Sequence, residues 1–166
     1  MSIWRYFRED LIVLDFKVEQ EPEPEDSSSE KWKERNKERI LSGLVDILEK
    51  SDLTGNRCKL LNDFINRERK ATTAIGQGIA VPHIRSMQAK EFVLAFARNH
   101  DGYYFNALDE EPVKLFFAMA APPYDDNLYL RVFKELSMNL QHDYFRQELL
   151  EVEEPYDVIR AFRNME

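Results

Sequence analysis

His83 is the residue of this chain with the most chemistry gathered around it. It closes the stretch Gly76-Gln77-Gly78-Ile79-Ala80-Val81-Pro82-His83, where two glycines precede a short apolar run and a proline directly precedes the histidine. Imidazole is the side chain whose ordinary pKa leaves a neutral, nucleophilic nitrogen available near pH 7. Pro82 fixes its own φ and restricts Val81, so the backbone carrying His83 is stiff. Gly76 and Gly78 can adopt positive φ, which lets successive N–H groups converge on an anion. A placed nucleophile, donors for anionic oxygens and a fixed cation are what phosphoryl transfer requires. Arg85, just beyond the histidine, or Arg67, on the preceding helical pattern, could supply that cation. A histidine after proline is also a common packed loop residue, and GxG alone is a weak signal. Chemistry by itself leaves both readings open.

The other candidates carry less. His100 lies in the polar turn NHDG, and His142 in NLQHDY, at a junction between helical patterns. Three scattered histidines and one cysteine give no zinc-ligand spacing, so neither metal nor cofactor is expected. Cys58 opens an amphipathic helix and reads as an ordinary, partly buried thiol. No GxSxG, Walker or Rossmann fingerprint is present.

The elements that must position His83 follow from hydrophobic patterning. Residues 11–16 read as a short strand, 92–98 and 113–120 as central strands, and Asp101-Gly102 as a turn after the first of these. Ile40, Leu41, Leu44, Val45 and Leu48 fall at helical spacing, as do Leu60, Leu61, Phe64 and Ile65. A helix pattern begins at Leu128, and two more follow over 146–151 and 156–162, separated by Pro155. The expectation is α/β (α+β): one domain over residues 1–166, with a mixed sheet of about five strands and helices on both faces. Residues 19–30, EQEPEPEDSSSE, hold six acidic residues and no large apolar side chain, and are expected to form a disordered acidic surface insertion.

Composition narrows the partners. The chain has 166 residues, 43% hydrophobic and 12% aromatic, enough for one substantial core. A formal net charge of -8 argues against nucleic acid or an anionic membrane as the main partner. The single cysteine suits a reducing compartment, and no apolar run is long enough to span a membrane or serve as a signal peptide. A cytoplasmic protein, peripheral to a membrane at most, is expected.

With those residues in view, the sequence resembles the mannitol/fructose-type enzyme IIA of the bacterial sugar phosphotransferase system, including its nitrogen-regulatory branch. The likeness runs from about residue 10 to 163. It is carried by Arg67-Glu68, then Thr72-Thr73, then the run Gly76 to His83, which matches G-x-G-[IV]-A-[IV]-P-H. A second block, Phe105-Asn-Ala107-Leu-Asp109-Glu-Glu-Pro112-Val113, is similar to the family's F-x-A-x-D-x-x-P-V segment. The resemblance implies that His83 accepts a phosphoryl group from a histidine phosphocarrier protein. It would then pass the group to an enzyme IIB cysteine, or hold it as a mark read by a regulatory target. It also implies that Arg67 lines the site and that Glu68 and Thr73 help hold it, with Gly76 and Gly78 as backbone donors. The family's second active-site histidine falls on Tyr129, a neutral hydrogen-bond donor, which favours slower turnover, a regulatory phospho-switch or lost transfer. A standalone acidic domain suits the regulatory type better, so that type is expected over a sugar-transport component. A non-catalytic interaction module that keeps the fold is the alternative.

Overall fold

A computed structural model describes residues 2–26, 30–125 and 127–166. A six-stranded mixed sheet is built from β1 (Ile12–Val13), β2 (Ala74–Gly76), β3 (Ile79–Ala80), β4 (His83–Arg85), β5 (Val93–Tyr103) and β6 (Val113–Ala121). Its spine is the antiparallel pair β5 and β6, with β1 parallel to β5 on one side. On the other side of β6, β3 and β4 run parallel to it end to end, and β2 forms the antiparallel edge beyond β3.

Alternation between two cores explains why β6 is apolar from Leu115 onward. Phe116, Ala118 and Ala120 face one core, shared with Ile40, Leu41, Leu44 and Leu48 of α1 (Lys31–Glu49) and Leu60 and Phe64 of α2 (Arg57–Lys70). Leu115, Phe117 and Met119 face the other, shared with residues of α3 (Leu128–Leu140), α4 (Asp143–Glu151) and α5 (Pro155–Asn164). A strand covered by helices on both faces has no polar side to show. On the first face the sheet presents mostly alanines, which let the leucine-rich side of α1 lie close.

Two expectations change in detail. Of residues 11–16 only Ile12 and Val13 pair as a strand; Leu11 ends a 3-10 helix, Glu9–Leu11. Asp101-Gly102 does not close a hairpin. It sits in an irregularity inside β5, where the Gly102 N–H donates to Asn99 Oδ1 at 2.8 Å and the ladder resumes at Tyr103 opposite Val113. The side chain of Asn99 supplies the local turn, so the chain re-enters the same strand.

At the far end of the molecule the two termini meet. Ser2 Oγ and Trp4 Nε1 both donate to Glu166 Oε2 at 3.2 Å. Buried Arg98 ties β1 to the C-terminus of α4, donating to the carbonyls of Leu14, Leu149 and Val152. This is a favourable place for a cation.

The acidic segment has an anchor that its composition did not suggest. Residues 19–26 form neither helix nor strand, yet the Glu21 N–H donates to Asn36 Oδ1 at 2.7 Å, and Asn36 Nδ2 donates back to the Glu21 carbonyl at 2.9 Å. Asn36, on α1, is buried. Residues 27–29 lie outside the described residues. Asn36→Ala is expected to cost about 1–3 kcal/mol in a denaturant melt, the penalty for unsatisfied buried polar groups. Excising 23–29 should change stability by no more than about 1 kcal/mol, because loop closure depends weakly on length. Equal losses in the two variants would show that the tip is packed and the anchor is not special.

Candidate active site

The strand that carries His83 is interrupted where its sequence turns to proline. Ala80 pairs with Phe116 and His83 with Met119, while between them the Pro82 carbonyl accepts from the Met119 N–H at 2.8 Å. The proline thus spends its one backbone group on β6 and lacks an N–H to leave unpaired. Val81 faces the outer edge instead. Its N–H donates to the Thr73 carbonyl at 3.0 Å, but the Thr73 N–H that would answer it goes to Glu68 Oε1 at 2.7 Å, so the Val81 carbonyl is left without a ladder partner. That carbonyl accepts from His83 Nδ1 at 2.7 Å. A carbonyl can only accept, so the ring proton sits on Nδ1 and Nε2 keeps its lone pair.

Side chains at 79, 81, 83 and 85 project to the α3 side, while Ile84 enters the opposite core. His83 therefore emerges beside α3, its ring centre 5.1 Å from that of Phe133 and 5.9 Å from that of Tyr129. Tyr129 and Phe133 are one helical turn apart and make a continuous aromatic wall. Burial against it is the main cause that holds the His83 pKa below the ordinary 6.5, and the Arg67 charge adds to it. The bond to Val81 and the charge of Glu68 act the other way without reversing the shift. The arrangement presents a neutral imidazole with one nucleophilic nitrogen and a guanidinium in its field.

Arg67 sits in the last turn of α2, where Nη1 donates to the Ala71 carbonyl at 3.0 Å. Next to it Glu68 turns inward and is buried. It accepts from the Thr73 N–H at 2.7 Å and from the Thr73 hydroxyl at 2.7 Å, and pairs with Lys37 Nζ of α1 at 3.2 Å. The side chains of Lys37 and Glu68 are 14% and 4% exposed, so this pair is screened little. It fixes the chain between α2 and β2, which supplies the Thr73 carbonyl that Val81 needs.

The structure separates the two glycines from His83. Gly76 and Gly78, with φ of 92° and 80°, shape the turn between β2 and β3. The intervening Gln77 N–H is taken by Asp109 Oδ2 at 2.8 Å, and the Gly78 carbonyl accepts from Lys114 and Leu115 at the start of β6. His83 is level with Met119, so the turn lies about 16 Å away along the strand. The glycines serve the fold of the hairpin, not an anion on the histidine. The hydrogen bonds from the Gln77 and Glu111 N–H groups hold the Asp109 carboxyl below its usual range, which explains the acidic position in the second block.

Sequence reasoning missed Phe133 and Lys37. Phe133 could have been found, since it lies one helical turn from Tyr129. Lys37 had no local signal: it is one of several cations in a charged helix, and only the tertiary fold singles it out. His100 and His142 make no contact with the His83 cluster. Among the described residues no group of three or more histidine, cysteine or carboxylate side chains is placed to hold a metal ion.

Comparison with known proteins agrees with the geometry. The family described as "Phosphoenolpyruvate-dependent sugar phosphotransferase system, EIIA 2" matches residues 29–165. The chain is 33% identical over 119 residues to the fructose-specific EIIABC component of Bacillus subtilis, covering 72% of this chain but 19% of that protein. It therefore spans about a fifth of that longer relative. It is also 33% identical over 117 residues to the fructose-specific EIIA component of Haloferax volcanii, covering 70% of this chain and 76% of that one. Among solved structures, the nitrogen regulatory protein IIA-Ntr of Neisseria meningitidis aligns with a TM-score of 0.81 at 23% identity, over 98% of this chain and 99% of that one. The Escherichia coli complex of enzyme IIA mannitol with phosphorylated enzyme IIB aligns at 0.69 and 16% identity, over 95% and 97%. Both structural likenesses concern the fold.

Two outcomes follow from the site. By heteronuclear NMR, His83 should titrate with a midpoint below 6.5 and show the Nδ1–H tautomer when neutral. Above pH 6.5 this histidine adds no pH dependence to stability. As the pH falls below that value, the unfolded chain takes the proton first and stability is lost. A midpoint above 6.5 would contradict the burial argument. Separately, Lys37→Met strands a buried carboxylate and should cost about 3 kcal/mol on unfolding, against well under 1 kcal/mol for a surface pair.

Proposed function

The chain belongs to the EIIA 2 family of the phosphoenolpyruvate-dependent sugar phosphotransferase system, and from that membership we propose that His83 takes up a phosphoryl group from a histidine phosphocarrier protein. The observation that carries this reading is the His83 Nδ1 bond to the Val81 carbonyl, which leaves Nε2 as the one free nucleophile of a neutral ring. Its lone pair attacks the phosphorus borne on the donor's imidazole. The new N–P bond forms as the donor's N–P bond breaks, and that bond's electron pair returns to the donor ring. Arg67 offsets part of the charge that arrives, and the Lys37–Glu68–Thr73 linkage keeps the edge strand in place.

Passage onward would be to the cysteine thiolate of an EIIB protein. The likeness to two fructose-specific components supports an acceptor of that type. The regulatory reading keeps a specific support of its own: Tyr129 puts a phenol where a second histidine would stand, which favours a longer-lived phosphohistidine. Both readings place the protein in the cytoplasm. No helix of the described residues is long and apolar enough to cross a membrane.

Incubation with enzyme I, a histidine phosphocarrier and labelled phosphoenolpyruvate tests the proposal. One label per chain is expected, lost in acid, kept in alkali and absent from His83→Ala. Arg67→Ala should slow labelling by about tenfold, equivalent to about 1.4 kcal/mol of lost transition-state stabilisation. Label on His100 or His142 would sink the assignment. No label from any phosphocarrier would leave the interaction-module reading standing. Addition of a fructose-type EIIB then separates transport from regulation, because only a transport component discharges its label to it.

A further inference from the structure

We propose that Arg85 is a parked cation for the phosphoryl group on His83. It rests on the ring of Tyr129 while the histidine is bare and turns to the phosphoryl oxygens once it is loaded. The inference rests on the phosphoryl reading of His83. Within β4, His83 and Arg85 share one face because Ile84 between them is committed to the other core. The Arg85 guanidinium carbon lies 4.8 Å from the centre of the Tyr129 ring, and the same ring is 5.9 Å from the imidazole. Tyr129 is thus a wall shared by the nucleophile and the second guanidinium of the site.

What marks Arg85 as parked is the weakness of its hold. Arg67 gives a hydrogen bond to the Ala71 carbonyl, whereas among the described residues no protein acceptor or carboxylate pairs with Arg85. A phosphoryl group brings roughly two negative charges near neutral pH. One fixed guanidinium offsets only part of them. An exposed cation–π contact is a weak interaction, and a bidentate, charge-assisted bond to phosphate is a strong one, so loading His83 shifts Arg85 from ring to phosphate. In this arrangement Tyr129 acts through its ring face, as a positioning residue, and not through its hydroxyl.

Labelled phosphoramidate, a small donor that needs no docking partner, isolates this effect in the full-length chain. The parent should label at His83. Arg85→Ala should label about tenfold more slowly, with Arg85→Lys between the two. Tyr129→Leu should fall to the Arg85→Ala rate, Tyr129→Phe should retain more of the rate than Tyr129→Leu, and the double variant R85A/Y129L should be no slower than either single one. By NMR, the Arg85 side-chain protons should be shifted upfield by the tyrosine ring in the bare protein, and that shift should vanish on labelling. Arg85→Ala labelling at the parent's rate, Tyr129→Phe as slow as Tyr129→Leu, or a ring shift that survives loading would each overturn the parked cation while leaving His83 as the acceptor. A parent that takes no label would remove the phosphoryl reading and this inference together.

Discussion

The arrangement turns on one buried carbonyl. Val81 has no exposed surface, and a carbonyl in that position must be bonded or it costs a large fraction of the fold's net stability. The residue opposite, Thr73, accepts from the Val81 N–H but gives its own N–H to Glu68, so the return bond of the pair is missing. The histidine two positions on fills the gap with its own ring. A requirement of backbone folding thereby decides which imidazole nitrogen carries the proton, and so which one is free to react. Fold and chemistry are satisfied by the same 2.7 Å bond.

The chain upstream of that bond is what withholds the Thr73 N–H from it. The buried carboxylate of Glu68 grips Thr73 by both its N–H and its hydroxyl, so the chain leaving α2 is tied down before it can extend the ladder. Burying an ion pair rarely adds net stability over an apolar replacement, because desolvation cancels most of the attraction. The Lys37–Glu68 pair is better understood as fixing register, since the loss of either partner would leave a charge in a place that tolerates none. The aromatic wall on the opposite side depends on α3 presenting Tyr129 and Phe133 toward β4 while Val132, Leu136 and Leu140 hold it to the core.

The layers of this fold were legible because they rest on periodicity. The continuous apolar run of 115–120 marks a strand buried on both faces and the leucine spacing of 40–48 an amphipathic helix, and both cores follow from them. The short strands at 74–76 and 83–85 were not legible as separate elements. They are too short for period two to register, and they exist because β6 offers a partner. At the site, His83, Arg67 and Tyr129 could be picked out by residue type and family likeness. The role first assigned to Gly76 and Gly78 failed for a physical reason: positive φ makes a glycine able to bind an anion, but says nothing of where along a strand the turn will land. Asp109 had already claimed the N–H between them. Lys37 and the Asn36 anchor lie on a helix whose charged half looks solvated from sequence, and only packing distinguishes the buried members from the rest.

The meeting of the two ends at Glu166 bears on how such a unit can be used by evolution or by an engineer. A polypeptide whose ends touch is close to a ring in its connectivity. A short bridge could join the ends, and the ring could be opened elsewhere without changing which residues are neighbours. A unit of that kind is also portable. It can be hung from a host chain, or spliced into a surface loop of one, with little stretching of the host at the insertion point. In the Bacillus subtilis relative the matching region makes up 19% of a longer polypeptide, the sort of modular setting that such a geometry tolerates well.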